Sequence, residues 1–465
     1  MRGLRAVVEP GAAFMAVESL QRPRLLRRLN SFDLTLITVG AVIGSGIFRT
    51  PAVVAQRAHL PIVILGCWLT GGVIALIGAF IFAELAARRP LDGGLYGYLR
   101  DAYHPMVAFL FGWTLLLISG TGSNAAAAVL FAGYLAPLTG VTLDPRLVAI
   151  LTLAALASIN LLGVRQGSNW QNLIVVLKIG AIGALIVASL TARSHAPAHA
   201  AVRPFDHPLA LVAAIGVAML PVLFTYAGFQ GASFVTAETL QPQRTIPRGL
   251  VLGISIVVGV YVLVNAGYLH VLGAAGLAGT ASPAADTMRA VAGNFGGRFI
   301  ALAIALSTLG YLSTCMLAYP RIFYQMAADG LFFKPVAWIS SSTHVPVVAI
   351  LLQALVASII ALSGTYEQII NWVVAPQWLF IFLGAGALFV FRRRDATLRR
   401  PATTVPGHPV TTLFFVVVLI AIFSAEFLIY PRDTLYGIGV VVAGALVYFA
   451  WQARARYGVN SKTAP

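Results

Sequence analysis

Three short stretches hold the residue types from which a ligand site could be built inside an otherwise apolar chain. In Gly40-Ala-Val-Ile-Gly44-Ser45-Gly46-Ile47-Phe48, two glycines flank a serine in the middle of an apolar run. Glycine weakens a helix, and a helix interrupted there would restart near Ile47 with free N–H groups and a positive dipole end turned toward a carboxylate. Phe224-Thr225-Tyr226-Ala227-Gly228 follows Pro221 and precedes Phe229, Gln230 and Gly231. Unwound carbonyls there would accept hydrogen bonds from an ammonium group, and an aromatic ring could close over it. Lys178 is the one lysine inside an apolar run; six residues past Asn172, it lies roughly 9 Å into a helix. Each stretch also has a plain structural reading. Gly40 and Gly44 form a GxxxG packing pair, rings in apolar helices mostly pack, and a lysine near a helix end can snorkel to the interface.

The elements that would position these residues follow from composition. Of 465 residues, 59% are hydrophobic and 10% charged, and the mean hydropathy is +0.87. That excludes a water-soluble globule, since soluble domains carry roughly 25% charged residues. At about 20 apolar residues per crossing, the chain reads as an all-α, multi-pass protein of the lipid bilayer. Twelve candidate spans fall near 34–56, 61–87, 105–135, 147–163, 171–191, 209–239, 249–272, 298–325, 345–363, 368–391, 410–429 and 434–453.

Charge fixes the expected orientation. The net charge of +16 is spread over short loops, not gathered on one solvated face as nucleic-acid binding requires. Loops on the N-terminal side hold 22 of the 31 Lys and Arg, the opposite loops seven, and Arg49 and Lys178 lie within spans. The positive-inside rule then puts both termini in the cytoplasm and the chain in the cell membrane. No cleavable signal peptide is expected in the Arg-rich first 30 residues. Gly/Pro interruptions recur in span 1 and, five spans later, in span 6; such a recurrence points to a carrier's substrate site. Because five is odd, the repeat would be inverted. The expected organisation is a tail over 1–33, repeat 1 over 34–191, repeat 2 over 209–391, two further helices over 410–453 and a tail over 454–465.

The motif set resembles the amino acid–polyamine–organocation superfamily, and most closely bacterial relatives of the L-type amino acid transporters. The resemblance is carried by Gly44-Ser45-Gly46-Ile47-Phe48, by Glu84-Leu85 through Pro90, and by Gly93-Gly94-Leu95-Tyr96. It continues through Phe224 to Gly228, Glu238, Arg244-Thr245-Ile246-Pro247-Arg248 and the stretch from Arg321 to Gly330, across roughly 30–455. It implies a leucine-transporter-like inverted 5+5 fold with broken helices 1 and 6, alternating access, and amino acid transport. By the same resemblance Gly44, Ser45 and Gly46 would bind the α-carboxylate, carbonyls near Phe224, Thr225 and Ala227 the amino group, and Phe224 would be the gate ring. Lys178 would stand where sodium-coupled members of the fold hold a cation, bridging helices 1, 5 and 8. Ala227 and Gln230 replace the Gly and Asn common in eukaryotic relatives.

Ile47, Tyr226, Gly228, Gln230 and Asn124 complete the expected substrate site, and Ser307 and Thr308 join Lys178 as coupling candidates. Ser123 is a further pocket candidate, Glu84 and Glu238 read as ion pairs with loop arginines, and Glu426 has no assigned role. Neither Cys67 nor Cys315 has metal-site or disulfide spacing. No enzyme motif occurs, and no cofactor or metal is expected. The expectation is therefore a secondary carrier for small or medium neutral amino acids, working by exchange or proton symport, so that protons are a candidate co-substrate. Oligomeric state is left open. The alternatives are a polyamine or other organic-cation permease and, further off, a membrane sensor or channel.

Overall fold

The computed structural model describes residues 25–140, 144–193, 207–363, 366–397 and 400–460. Most of the expected N-terminal tail (1–24) and the last five residues (461–465) lie outside the described residues. Sixteen α-helices follow in order: α1 Ser31–Val42, α2 Gly46–Ala58, α3 Pro61–Arg88, α4 Leu95–Ala102, α5 Pro105–Thr114, α6 Gly120–Thr139, α7 Pro145–Leu161, α8 Val164–Thr191, α9 Pro208–Thr225, α10 Pro242–Gly279, α11 Pro283–Ala318, α12 Pro320–Ala328, α13 Val347–Ser363, α14 Tyr366–Arg394, α15 Val410–Ile429 and α16 Pro431–Asn460. A π-helical turn, Leu115–Ser119, joins α5 to α6, and a 3₁₀ helix, Phe229–Glu238, follows α9. Among the described residues no strand forms, and the one β-bridge pairs Leu29 with Thr239.

Every expected span coincides with helix. Among the described residues eight helical stretches are long and apolar enough to cross a membrane, nine when α1 and α2, bent by 47°, count as one span. α7 and α13 are apolar but shorter. Local sequence sets the ends. Pro61, Pro105, Pro145, Pro208, Pro242 and Pro283 each start a helix, where the missing N–H would be unpaired anyway. Asn30 accepts from the N–H groups of Phe32 and Asp33, while Asp33 accepts from Asn30 N–H, a capping box that starts α1.

The interior is helix packed on helix, with α10 against α3 and α1, and α11 against α6 and α8. Trp68 of α3, Tyr226 just after α9 and Tyr261 of α10 pack in tilted and edge-to-face contacts, with ring centroids 4.9–6.1 Å apart.

At the end of the bundle where α1 begins, ion pairs hold the helices together. Glu84, with no exposed surface, accepts from Arg88 and Arg392 and from the Val405 N–H. Arg89 hydrogen-bonds Asp395 and holds its carboxyl below the usual carboxylate range. Asp33 accepts from Arg165, Ser168 and Asn172, tying α1 to α8. Glu238 is paired with Arg321 at 2.7 and 3.0 Å, both fully buried, and its carbonyl accepts from the Arg28 and Leu29 N–H groups. The ion-pair reading of Glu84 and Glu238 is thus what the structure contains.

A buried bidentate pair is costly to halve, because the remaining charge has no partner. Arg321→Met alone is expected to cost about 3–5 kcal/mol, seen as a lower melting temperature in detergent, and the double variant with Glu238→Gln to recover most of that loss. Equal melting of the single and double variants would contradict this account.

Candidate functional site

Both expected interruptions are present, and they face each other. α1 stops at Val42, Ile43 takes an extended conformation (φ −75°, ψ 96°), and α2 begins at Gly46, one residue before the restart expected from sequence. α9 stops at Thr225, and Gly228, at φ +103°, turns the chain into the 3₁₀ helix. Glycine is required at 228 twice over. Its φ lies in the left-handed region, and a Cβ there would stand 2.5 Å from the Ala41 carbonyl oxygen. Gly46 makes the reciprocal approach: a Cβ would meet Thr225 Cγ2 at 2.8 Å. Thr225 Oγ1 donates to Pro221 O, 2.7 Å, and also lies 3.1 Å from Thr50 Oγ1 of α2.

Breaking a helix frees carbonyls at one end and N–H groups at the other, and the two are treated differently here. Lys178 Nζ donates to Ile43 O at 2.6 Å and lies 3.4 Å from Gly40 O. Ser307 Oγ of α11 donates to Gly44 O at 2.9 Å. Tyr261 Oη stands 3.2 Å from both Val42 O of α1 and Thr225 O of α9. The carbonyls at the end of α1 are therefore held by buried side chains of α8, α10 and α11. By contrast neither α2 nor the 3₁₀ helix has a side-chain cap at its N-terminus.

Those uncapped ends border a cavity of about 380 Å³, within the usual range for small-molecule sites. Gly44, Ser45 and Gly46 line it from the first break, and Phe224, Thr225, Ala227, Gly228 and Gln230 from the second. Ser123 and Thr308 line it as well, although Thr308 bonds only carbonyls of its own helix, Ile304 O and Ala305 O. Three expected site residues do not line it. Ile47 is buried. Tyr226 points away, donating to Trp68 O at 3.1 Å and packing its ring on Trp68 and Tyr261. Asn124 is buried with Nδ2 3.8 Å from Met316 Sδ. Lys178 and Ser307 lie behind the first break, on its carbonyls. Lys178 does meet all three expected helices, since it sits on α8, bonds the end of α1, and has Nζ 3.4 Å from where a Cβ on Gly310 of α11 would be.

Sequence reasoning missed other parts of the wall. Arg49 and Thr50 of α2, Tyr311 of α11, Tyr319 between α11 and α12, and Gln377 of α14 all line the cavity. Arg49 had a visible signal, a charge three residues past Gly46 within an apolar run. The π turn at Leu115–Ser119 had none. It widens the third span where Leu115 and Ser119 reach the cavity, and Ser119 and Thr121 hydroxyls bond the carbonyls it displaces, Thr114 O and Leu116 O. Such π turns are frequent at functional sites.

An enclosure between two opposed broken helices, with helix ends that carry no side-chain cap turned onto it, can hold a small polar molecule. Comparison with known proteins narrows the class. Residues 29–448 match the family model described as amino acid permease. The human b(0,+)-type amino acid transporter 1 is 29% identical over 89% of this chain and 85% of its own. The serine/threonine exchanger SteT of Bacillus subtilis is 28% identical over 91% of this chain and 96% of its own. The human cystine/glutamate transporter is 25% identical over 94% and 88%. These relatives are transporters, not enzymes, and with most of its length matched the chain belongs to the amino acid permease family of the amino acid–polyamine–organocation superfamily.

Proposed function

We propose that this permease carries amino acids across the cytoplasmic membrane by alternating access, with the substrate held between the two helix breaks. The observation that carries the proposal is the pairing of Gly46 against Thr225 and of Gly228 against Ala41, which brings both interruptions onto one cavity. In this reading the α-carboxylate sits on the uncapped start of α2 at Ser45 and Gly46, and the amino group on carbonyls of the second break. Those carbonyls keep acceptor capacity: Phe224 O receives the Ala227 N–H and Thr225 O faces Tyr261, and each carbonyl oxygen has two lone pairs. The topology that goes with it has twelve spans, repeats over 34–191 and 209–391 related by inversion, and both termini in the cytoplasm. Ion pairs at the α1 end then close the cytoplasmic side.

Exchange and proton symport are both compatible with this site; the similarity to a serine/threonine exchanger favours exchange. The two separate on one measurement, since an exchanger requires substrate on the far side of the membrane and a symporter does not. A neutral side chain is the expectation from a lining without acidic residues, and among the described residues the cavity has none.

Lys178 holds the inner half of the first broken span. Charged and bonded to Ile43 O, it fixes α1 against α8 and α11; released, it frees α1 to move. A lysine at this position also satisfies carbonyls that have no water to turn to.

Replacing Gly46 with Val is expected to abolish amino acid binding, because the added methyls fill the carboxylate approach and press on Thr225. Binding at wild-type affinity by a protein of unchanged melting temperature would remove the carboxylate from this end of α2. Phe224→Ala, by losing a ring that lines the cavity, should weaken apparent affinity roughly tenfold without lowering thermal stability, and unchanged counterflow kinetics would deny it the gate role. Lys178→Ala should reduce transport at least tenfold, with the larger affinity change on the cytoplasmic face of oriented proteoliposomes, since two helix-end carbonyls lose their donor. Arginine should not rescue it, because a broad planar guanidinium cannot take the place of the compact ammonium on the Ile43 carbonyl; near-wild-type rates for both variants would make Lys178 a topological anchor.

A further inference from the structure

The cavity is not chemically uniform along its length, and the difference bears on the side chain of its cargo. The third span shows this in a single stripe. Phe111, Leu115, Ser119 and Ser123, each four residues after the last, all line the cavity, so one wall passes from apolar to hydroxylated over roughly 18 Å. The hydroxylated part adjoins the first helix break. Tyr311, in hydrogen-bonding contact with Ser123, has its ring 3.9 Å from where a Cβ on Gly44 would stand.

At the other end of the stripe four rings meet. The Phe111 ring lies 5.5 Å from that of Phe380 and 6.3 Å from that of Phe234, and Phe234 lies 6.0 Å from Tyr319, centroid to centroid. All four line the cavity, together with Leu95 and Ile381. Phe234 is six residues past Gly228, roughly 12 Å along a 3₁₀ helix, and that helix ends at Glu238, whose carbonyl bonds Arg28 and Leu29 just before α1. The rings therefore lie beyond the breaks, toward the end of the bundle where α1 begins. Rings that served packing alone would close on one another, but these border open space in a cavity of about 380 Å³, which has room for a ligand larger than a bare zwitterion.

The two regions suit different parts of one molecule. Helix ends at the breaks take the charged amino and carboxyl groups, while a large apolar side chain laid against the rings removes apolar surface from water on both partners. A small side chain would leave the rings uncovered. Ring pairs favour tilted and edge-to-face contacts at roughly 4.5–7 Å, the spacing these four already keep, so an aryl group extends the cluster. We infer that the preferred substrate is an amino acid with a large apolar side chain, aromatic ones first, bound with that side chain among Phe111, Phe234, Phe380 and Tyr319. This rests on the carrier reading above, keeps its neutral side chain, and replaces the small or medium size expected from sequence with a large one.

The test is counterflow by the full-length protein in proteoliposomes, with each of the twenty amino acids as competitor and phenylalanine, leucine, alanine and serine compared directly. Apparent affinity should rise with apolar side-chain size, phenylalanine exceeding alanine by roughly tenfold or more. Phe111→Ala and Phe380→Ala should each lower the phenylalanine-to-alanine ratio roughly three- to tenfold; melting temperatures report whether each variant folds, and the wild-type ratios decide the matter if neither does. Equal or greater preference for alanine and serine in the wild type would overturn the large-side-chain assignment and leave the carrier reading standing. Absence of saturable counterflow for all twenty would overturn both. A ratio unmoved in both folded variants, even with altered rates, would overturn the placement of the side chain among these rings and make them part of the closure on that side.

Discussion

Everything at the centre of this molecule depends on one constraint: a backbone interrupted at membrane depth must find partners within the protein, because lipid offers none. The first break exposes carbonyls of Gly40, Val42, Ile43 and Gly44, and side chains from three other helices meet them. Those side chains are buried polar groups that would themselves be costly without the carbonyls. The break and its donors therefore stabilise each other, and neither would persist alone. The opposite ends of the same interruptions carry no side-chain cap and open on the cavity. Satisfaction on one side and availability on the other give the site its polarity.

The same constraint explains the close fit between the two broken spans. Glycines at 46 and 228 remove side chains where backbones meet, so the breaks face each other instead of lying apart behind packed residues. At the end of the bundle where α1 begins, the buried carboxylates of Glu84 and Asp33 each accept from several donors, with Arg392 and Arg165 reaching them from partly exposed positions, while the Glu238–Arg321 pair is buried on both sides. Such pairs add little net stability when surface-exposed, but fully buried ones resist being separated.

Much of this was legible beforehand, for identifiable reasons. Long apolar runs bounded by proline and charge mark helices wherever lipid is the solvent, and all twelve expected runs are helical. The Gly44-Ser45-Gly46 and Pro221 to Gly228 interruptions were legible because glycine and proline act locally. What composition could not supply was side-chain direction across helices. Tyr226 sits in the second break by sequence, yet its ring turns into the Trp68 and Tyr261 cluster. Asn124 and Ser123 are neighbours in one span, and the sequence does not say which of them faces the cavity: Ser123 lines it and Asn124 does not. Tyr261, which links the two breaks, carries no local signal at all: an aromatic in an apolar helix reads as packing. Arg49 was visible as a charge within a span, but its place on the cavity wall was not.

The hydroxyl of Tyr261 has a further consequence. It stands 3.2 Å from carbonyls of both helix ends, Val42 O and Thr225 O, but a phenol has a single proton to give. One of the two acceptors is always left waiting, so the pair is frustrated by construction. If the two half-helices part, the hydroxyl keeps its bond by following either one, and the number of bonds made is the same before and after. At this contact, separating the first broken span from the second costs no hydrogen bond, which makes the phenol a hinge pin rather than a lock.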